Sequence, residues 1–113
     1  MEDDVKTWLL DVQNAISEIY SFLPEKKDFF VYKADLKTKK AVERNVEIIG
    51  EAINRVLKLE PEISIANARN IVNTRNRIIH SYDNISDEII WTIVVRELPI
   101  LEKEVGLLLE KRP

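Results

Sequence analysis

The 113-residue chain has no cysteine, one histidine and only two glycines. Without cysteine it can form no disulfide framework, no thiolate nucleophile and no cysteine-based zinc site. Its longest uncharged apolar runs span only a few residues, which is too short for a membrane-spanning helix. The amino terminus lacks the basic and then apolar pattern of a signal peptide, so we expect a cytoplasmic protein.

Basic side chains are not in excess either. Seventeen Lys and Arg face 20 Asp and Glu, for a net charge of -3. Broad nonspecific binding to nucleic acid normally needs a surplus of Lys and Arg on one face, so any contact with RNA or DNA should be local. The length fits a single helical domain, residues 1–113, and is close to the size at which association with a partner adds needed burial.

The chain does contain apolar residues at intervals of three and four, which is the spacing of one helix face. The first such segment covers residues 3–23 and stops before Pro24. The residues predicted to begin the later long helices are Asp35, Ser64 and Ser86. Residues 29–32 fit either a short helix or an apolar loop. No alternation of period two indicates a strand, so we predict an all-α fold, an up-and-down bundle of four to five helices.

Three residues stand out within the predicted helices. Gly50 lies in mid-helix, where it costs about 1 kcal/mol relative to Ala, and the usual reason to keep such a glycine is a close contact with another helix or a partner's backbone. Asn45 falls on or near the apolar stripe of the same helix and indicates a polar contact inside a helix seam. Pro99 removes one backbone hydrogen bond from the last helix, so we expect a kink near residues 95–98.

The densest group of reactive side chains lies near the end of the predicted fourth helix. It comprises Arg75, Asn76, His80 and Tyr82. Such side chains can hold a phosphate, move protons and orient a hydroxyl. On a helical wheel Arg75 falls in the middle of the apolar stripe, where a guanidinium without a partner costs several kcal/mol. We therefore expect Arg75 to reach an anion, a set of carbonyls or a water-filled cleft.

Arg75 and His80 would lie about 140° apart around a straight helix, too far to grip one ligand comfortably. Either the helix ends near residues 79–81 and turns His80 and Tyr82 inward, or a second copy of the chain supplies the missing half. A two-fold dimer would also provide two imidazoles, one to accept a proton and one to donate it. A polar strip on the neighbouring face completes the group: Arg69, Asn73, Asn76 and His80.

Each of these residues also has a plain structural interpretation. A lone histidine on a helix is more often a satisfied structural residue, and Arg75 could pack its stem while its head reaches water. Tyr82 could be a core aromatic with its hydroxyl at the edge. One further run of charges is best interpreted as a solvated helix face: Lys37, Lys39, Lys40, Glu43 and Arg44.

Three stretches of the chain resemble the HEPN proteins and, among them, the HepT-like toxins of prokaryotic toxin-antitoxin pairs. The HepT signature is Arg, four residues, His, any residue and Tyr, which corresponds here to Arg75, His80 and Tyr82, with Asn76 as the polar residue after the Arg. Residues 41–52 resemble the long third helix of the family, and residues 89–99 resemble its final helix. Ser81 stands where many relatives have Gly.

The resemblance implies a homodimeric, HEPN-like endoribonuclease that uses neither a metal nor a cofactor. Arg75 would hold the scissile phosphate of an RNA substrate and His80 would transfer protons. Asn76 would orient the histidine or the phosphate, and Tyr82 would line the cleft. Relatives of this kind are neutralised by an MntA-like nucleotidyltransferase antitoxin that attaches AMP to the motif tyrosine, here Tyr82.

Two other functions remain open from the sequence. The chain could be a helical binding partner of a nucleotidyltransferase with no catalytic turnover, which the acidic net charge favours. It could also be a helix-turn-helix regulator of DNA, although residues 86–98 contain a single Arg and so lack a basic recognition helix.

Overall fold

The computed structural model describes residues 2–80 and 85–112, and this part of the chain is helical with no strand. A five-residue π-helical segment, Ile93–Glu97, connects the last two helices. The all-α, HEPN-like bundle predicted from the sequence is confirmed. The helices are α1 (Glu2–Phe22), α2 (Phe29–Ala34), α3 (Leu36–Leu59), α4 (Ala68–His80), α5 (Asp87–Thr92) and α6 (Leu98–Glu110).

The core is built around α3, which packs against both α1 and α4, while α1 also packs against α6. The apolar stripe predicted for α1 is fully buried along most of its length: Val5, Leu9, Val12, Ile16 and Ile19. Each of these side chains stabilises the fold by roughly 1.5–3 kcal/mol through burial. Asn45 is buried as predicted, although its amide donates to the Ala41 carbonyl of its own helix at 3.1 Å.

The start of α3 follows the sequence prediction. The Asp35 carboxylate accepts hydrogen bonds from the Thr38 backbone N–H at 3.1 Å and from the Thr38 hydroxyl at 2.6 Å. These two bonds stabilise the ionised form and lower the pKa of Asp35. An N-cap of this kind satisfies backbone donors that the first helical turn leaves unpaired.

The start of α4 departs from the prediction, because the helix begins at Ala68 and not at Ser64. The Ile65 N–H instead closes a tight turn onto the Ile63 carbonyl at 3.0 Å. The Ala66 N–H donates to the Glu104 carboxylate of α6 at 3.0 Å. A contact with a distant helix therefore overrides the local capping signal of Ser64.

The structure shows what forms in two regions: residues 29–32, which the sequence left undecided, and the segment before Pro99, which it predicts to be irregular. Residues 29–32 belong to the short helix α2, whose Tyr32 ring lies 4.9 Å from the Trp91 ring of α5, centroid to centroid. Burial raises the pKa of Tyr32 well above its ordinary value. Where the sequence predicts a kink, near residues 95–98, the structure has the π-helical segment, in which the Leu98 N–H bonds to the Ile93 carbonyl. Pro99 follows directly, as the second residue of α6.

The charged run at the start of α3 is not only a solvated face. Lys39 forms an ion pair with Asp87 of α5 at 3.2 Å, and both side chains are largely buried. This contact joins α3 to the beginning of α5. Among the described residues, no helix is both long enough and apolar enough to cross a membrane.

Candidate active site on helix α4

Helix α4 approaches α3 at Gly50. A Cβ placed on Gly50 would overlap the Cβ of Arg75, and it would lie 2.9 Å from the Arg75 Cγ and 3.2 Å from the Ile71 carbonyl oxygen. The close helix contact expected from a mid-helix glycine is therefore confirmed, and its partner is the predicted site arginine. Ile71 and Val72 pack into the core on the same side of α4.

The Arg75 side chain is half-buried, as its place in an apolar stripe predicts. One of its terminal nitrogens, Nη1, donates to the Asn76 Oδ1 at 2.9 Å, so two of the predicted site residues do meet. The Nε atom is buried and has no hydrogen-bond acceptor among the described residues. A desolvated donor of a charged group is costly when it is unpaired.

His80 is the last residue of α4 and is exposed. Because the α-helix runs unbroken from Arg75 to His80, the two side chains project about 140° apart around its axis. The structure does not bring them onto one face within a single chain. Tyr82, the remaining site prediction, lies outside the described residues.

The neighbouring Ile79 lies on the same apolar stripe of the helical wheel as Arg75, yet its side chain is 39% exposed. Helical periodicity identifies the face on which a residue lies and not whether another element reaches that far along the helix. The last turn of α4 thus presents an uncovered apolar side chain beside the exposed imidazole.

The polar strip lies on the outside of α4. Arg69, Asn73 and His80 are exposed and Asn76 is half-buried. Among the described residues no hydrogen bond joins these four side chains to one another; Asn76 bonds instead to Arg75. The strip is therefore a set of donors and acceptors facing outward.

A groove next to the strip was not predicted from the sequence. It has a volume of about 320 Å³ and lies between α4 and the α5 and π-helical segments. Asn73 and Arg77 line it, so Asn73 belongs to both the strip and the groove. The Asn70 amide bridges the groove by donating to both carboxylate oxygens of Glu97, at 2.7 and 2.9 Å. The four-residue spacing of Asn73 and Arg77 was the only sequence signal for this feature.

No group of three His, Asp or Glu side chains that could hold a metal ion occurs in the described ranges, 2–80 and 85–112. The donors concentrated on α4 are instead guanidinium and amide groups with one imidazole. Such a set is suited to binding an anion and moving protons.

A family model described as "Ribonuclease HepT-like" matches residues 12–108, a span that includes α3, α4 and all of the predicted site residues. The chain belongs to the HepT-like ribonuclease family. The predicted family and enzyme class, a ribonuclease, are thereby confirmed. The assignment itself leaves the individual roles of Arg75, Asn76, His80 and Tyr82 as predictions.

Two relatives of this HepT-like chain cover most of its length. "Putative RNase MJ0127" of Methanocaldococcus jannaschii is 32% identical over 106 residues, which is 90% of this chain and 84% of that protein. "Probable ribonuclease HepT" of Thermococcus cleftensis is 33% identical over 106 residues, which is 90% of this chain and 93% of that protein. No solved structure gives a significant match.

Proposed function

We propose that this protein is a metal-independent endoribonuclease whose active site is completed when two copies of the chain pair along α4. The observation that supports it best is the state of Arg75: a half-buried guanidinium that forms no ion pair among the described residues and whose Nη1 bonds to the neutral side chain of Asn76. A scissile phosphate would neutralise the charge of Arg75 and accept hydrogen bonds from its terminal Nη groups.

The cleavage step follows from the residues on α4. One imidazole, from His80, accepts the proton of a ribose 2'-hydroxyl, and the freed oxygen attacks the adjacent phosphorus. As the new bond forms, the bond from phosphorus to the 5'-oxygen breaks, and the second copy's His80 donates a proton to that leaving oxygen. Arg75 stabilises the negative charge that develops on the phosphoryl oxygens. The products are a 2',3'-cyclic phosphate and a free 5'-hydroxyl, so DNA is spared.

The need for two copies rests on the described geometry. A single chain has one histidine, and that histidine projects about 140° away from Arg75 on an unbroken helix. Exposed Ile79, beside His80, offers apolar surface for a second copy to cover. A two-fold pairing along this turn would place two imidazoles and two guanidiniums around one cleft.

We extend the proposal to regulation, on the basis of the resemblance to toxin-antitoxin proteins. In the cytoplasm, an MntA-like nucleotidyltransferase would neutralise the enzyme by attaching AMP to Tyr82, two residues beyond His80 in sequence. The added phosphodiester would compete with RNA for Arg75. Incubating the protein with ATP and the cognate nucleotidyltransferase should add the mass of one AMP to the wild type and none to Tyr82→Phe.

The nuclease proposal is tested with purified protein, single-stranded RNA and EDTA. Wild type should cleave RNA to cyclic-phosphate ends, whereas RNA with a 2'-deoxyribose at the cleavage site should stay intact there. His80→Ala and Arg75→Ala should each abolish most cleavage. The matched control is Arg55→Ala, because Arg55 is an exposed arginine on α3 whose ion pair with Glu51 lies outside the site.

Three results would count against this proposal. Cleavage that EDTA eliminates would reject the metal-independent mechanism. Equal activity of wild type and His80→Ala would reject His80 as the proton carrier, and no activity in either would favour the non-catalytic binding partner. Excess His80→Ala subunits should lower the activity of wild type only if both chains contribute an imidazole to one site, because the mixed dimer has a single His80. Analytical ultracentrifugation should show the dimer.

A further inference from the structure

We infer that Gly50 is a positioning residue for Arg75: it forms a notch in α3 that sets how closely α4 approaches and therefore where the guanidinium lies. This inference rests on the proposed function of Arg75. It assigns a role to a residue that touches neither the phosphate nor the proton path.

The notch exists because Gly50 has no side chain. Its neighbours one turn along the same face, Val46 and Ile53, are buried, so the glycine lies within a packed seam and not at a helix end. An added Cβ would meet the Arg75 Cβ and Cγ and the Ile71 carbonyl oxygen. Two of those three atoms, the Cβ and the carbonyl oxygen, are fixed to the α4 backbone.

This geometry determines how the molecule must respond to a larger residue. A clash with the end of a flexible side chain can be relieved by rotating that chain, but a clash with backbone-linked atoms can be relieved only by moving the helix. Carbon atoms in contact sit about 3.5–4.0 Å apart, so α4 would have to retreat by on the order of 1 Å. The base of Arg75 would move with it.

A displacement of this size matters for catalysis more than for folding. Misplacing a reacting group by about 1 Å can cost about 10²-fold in rate. The seam would still bury Ile71 and Val72, and Ala is the better helix former at position 50. We therefore expect Gly50→Ala to keep the helical fold and to lower kcat by about 10²-fold, with a smaller change in KM.

The second glycine of the chain provides a matched control. Gly106 lies in α6, and a Cβ added there meets no other atom within 4 Å. Gly106→Ala should therefore gain the same helix propensity without any clash. Its kcat should equal that of wild type, and its Tm should be equal or slightly higher.

A double substitution separates positioning from a general packing defect. Arg75→Gly removes both the Cβ and the Cγ that an alanine at position 50 would meet. Adding Gly50→Ala to Arg75→Gly should lower Tm much less than adding it to wild type. If Gly50→Ala alone does not fold, refolding of the double variant supports the notch, and failure of the double variant to refold overturns it.

One readout does not depend on cleavage. In ¹⁵N-labelled protein the buried Arg75 Nε–H should exchange slowly with solvent; Gly50→Ala should shift its NMR signal and speed its exchange, and Gly106→Ala should do neither. If wild type cleaves RNA and Gly50→Ala matches it in kcat and in the Nε–H signal, the positioning role is overturned. If wild type does not cleave, the NMR comparison alone decides the inference, and only the proposed function has failed.

Discussion

The two faces of α4 are built for different purposes. The inner face packs against α3, where Ile71 is buried and the Arg75 stem rests on Gly50. The outer face presents Asn73 and His80 to solvent. One chain by itself positions the Arg75 guanidinium, whereas the His80 imidazole is exposed to solvent and, in our proposal, receives its surroundings from a second copy. Substitutions on the two faces should therefore affect different properties.

The largest expected effects are a loss of stability from a substitution on the inner face and a loss of activity from one on the outer face. Ile71→Ala leaves a cavity in the seam and should lower the free energy of unfolding by about 2–5 kcal/mol. His80→Ala, on the exposed face, should change it by less than about 0.5 kcal/mol while lowering kcat by about 10²–10⁴-fold. Chemical denaturation and RNA cleavage on the same preparations measure both. A large loss of stability in His80→Ala would contradict the division between the two faces.

An intermediate effect is expected where the two faces meet. Asn76 accepts the hydrogen bond from Arg75 Nη1 at 2.9 Å and lies in the polar strip. A hydrogen bond to a charged group contributes about 1.5–3 kcal/mol. Without this acceptor the Arg75 guanidinium loses a contact that orients it, so Asn76→Ala should lower kcat/KM about tenfold, since misplacing a catalytic group by about 1 Å can cost about 10²-fold. Asn73→Ala, in the same strip but not bonded to Arg75, is the control and should lose less.

The groove beside the strip allows a smaller test of the outer face. Arg77 is exposed, lines the groove and has no ion pair with a carboxylate among the described residues. If RNA continues from the site into this groove, Arg77→Ala should raise KM a few-fold at low salt and leave kcat unchanged. The effect should shrink as salt screens the contact. A change in kcat with constant KM would place Arg77 in the chemistry instead.

The smallest expected effect concerns the N-cap of α3, the helix against which the inner face of α4 packs. The pKa of Asp35 is lowered by its bonds to Thr38, so its ionised cap stabilises α3 above the unfolded pKa of about 4 and loses that contribution as pH falls through the folded pKa. Asp35→Asn keeps a capping side chain that does not titrate. Its Tm should be slightly below that of wild type at neutral pH and converge with it in acid. A difference independent of pH would show that the charge is not involved.

Local patterns in the sequence predict much of this fold and part of its site. The buried stripe of α1 and the Asp35 cap depend on helical spacing and on neighbouring residues, which the chain displays directly. The family signature likewise predicts Arg75 and His80 as site residues without coordinates. The same local reasoning failed at Ser64, because α4 begins at Ala68 and the Glu104 carboxylate of α6 binds the Ala66 backbone. It also did not predict that Ile79 would be 39% exposed.

The sequence alone determined most of the helices, the buried faces of most of them and the residue types available for chemistry. It also indicated that Gly50 needed a close neighbour. Only the tertiary structure decided that this neighbour is Arg75, that α4 starts late and that a groove opens beside Asn73. The physical reason is range: helical periodicity and capping act within a few residues, whereas the pairing of helices depends on contacts between residues far apart in the chain.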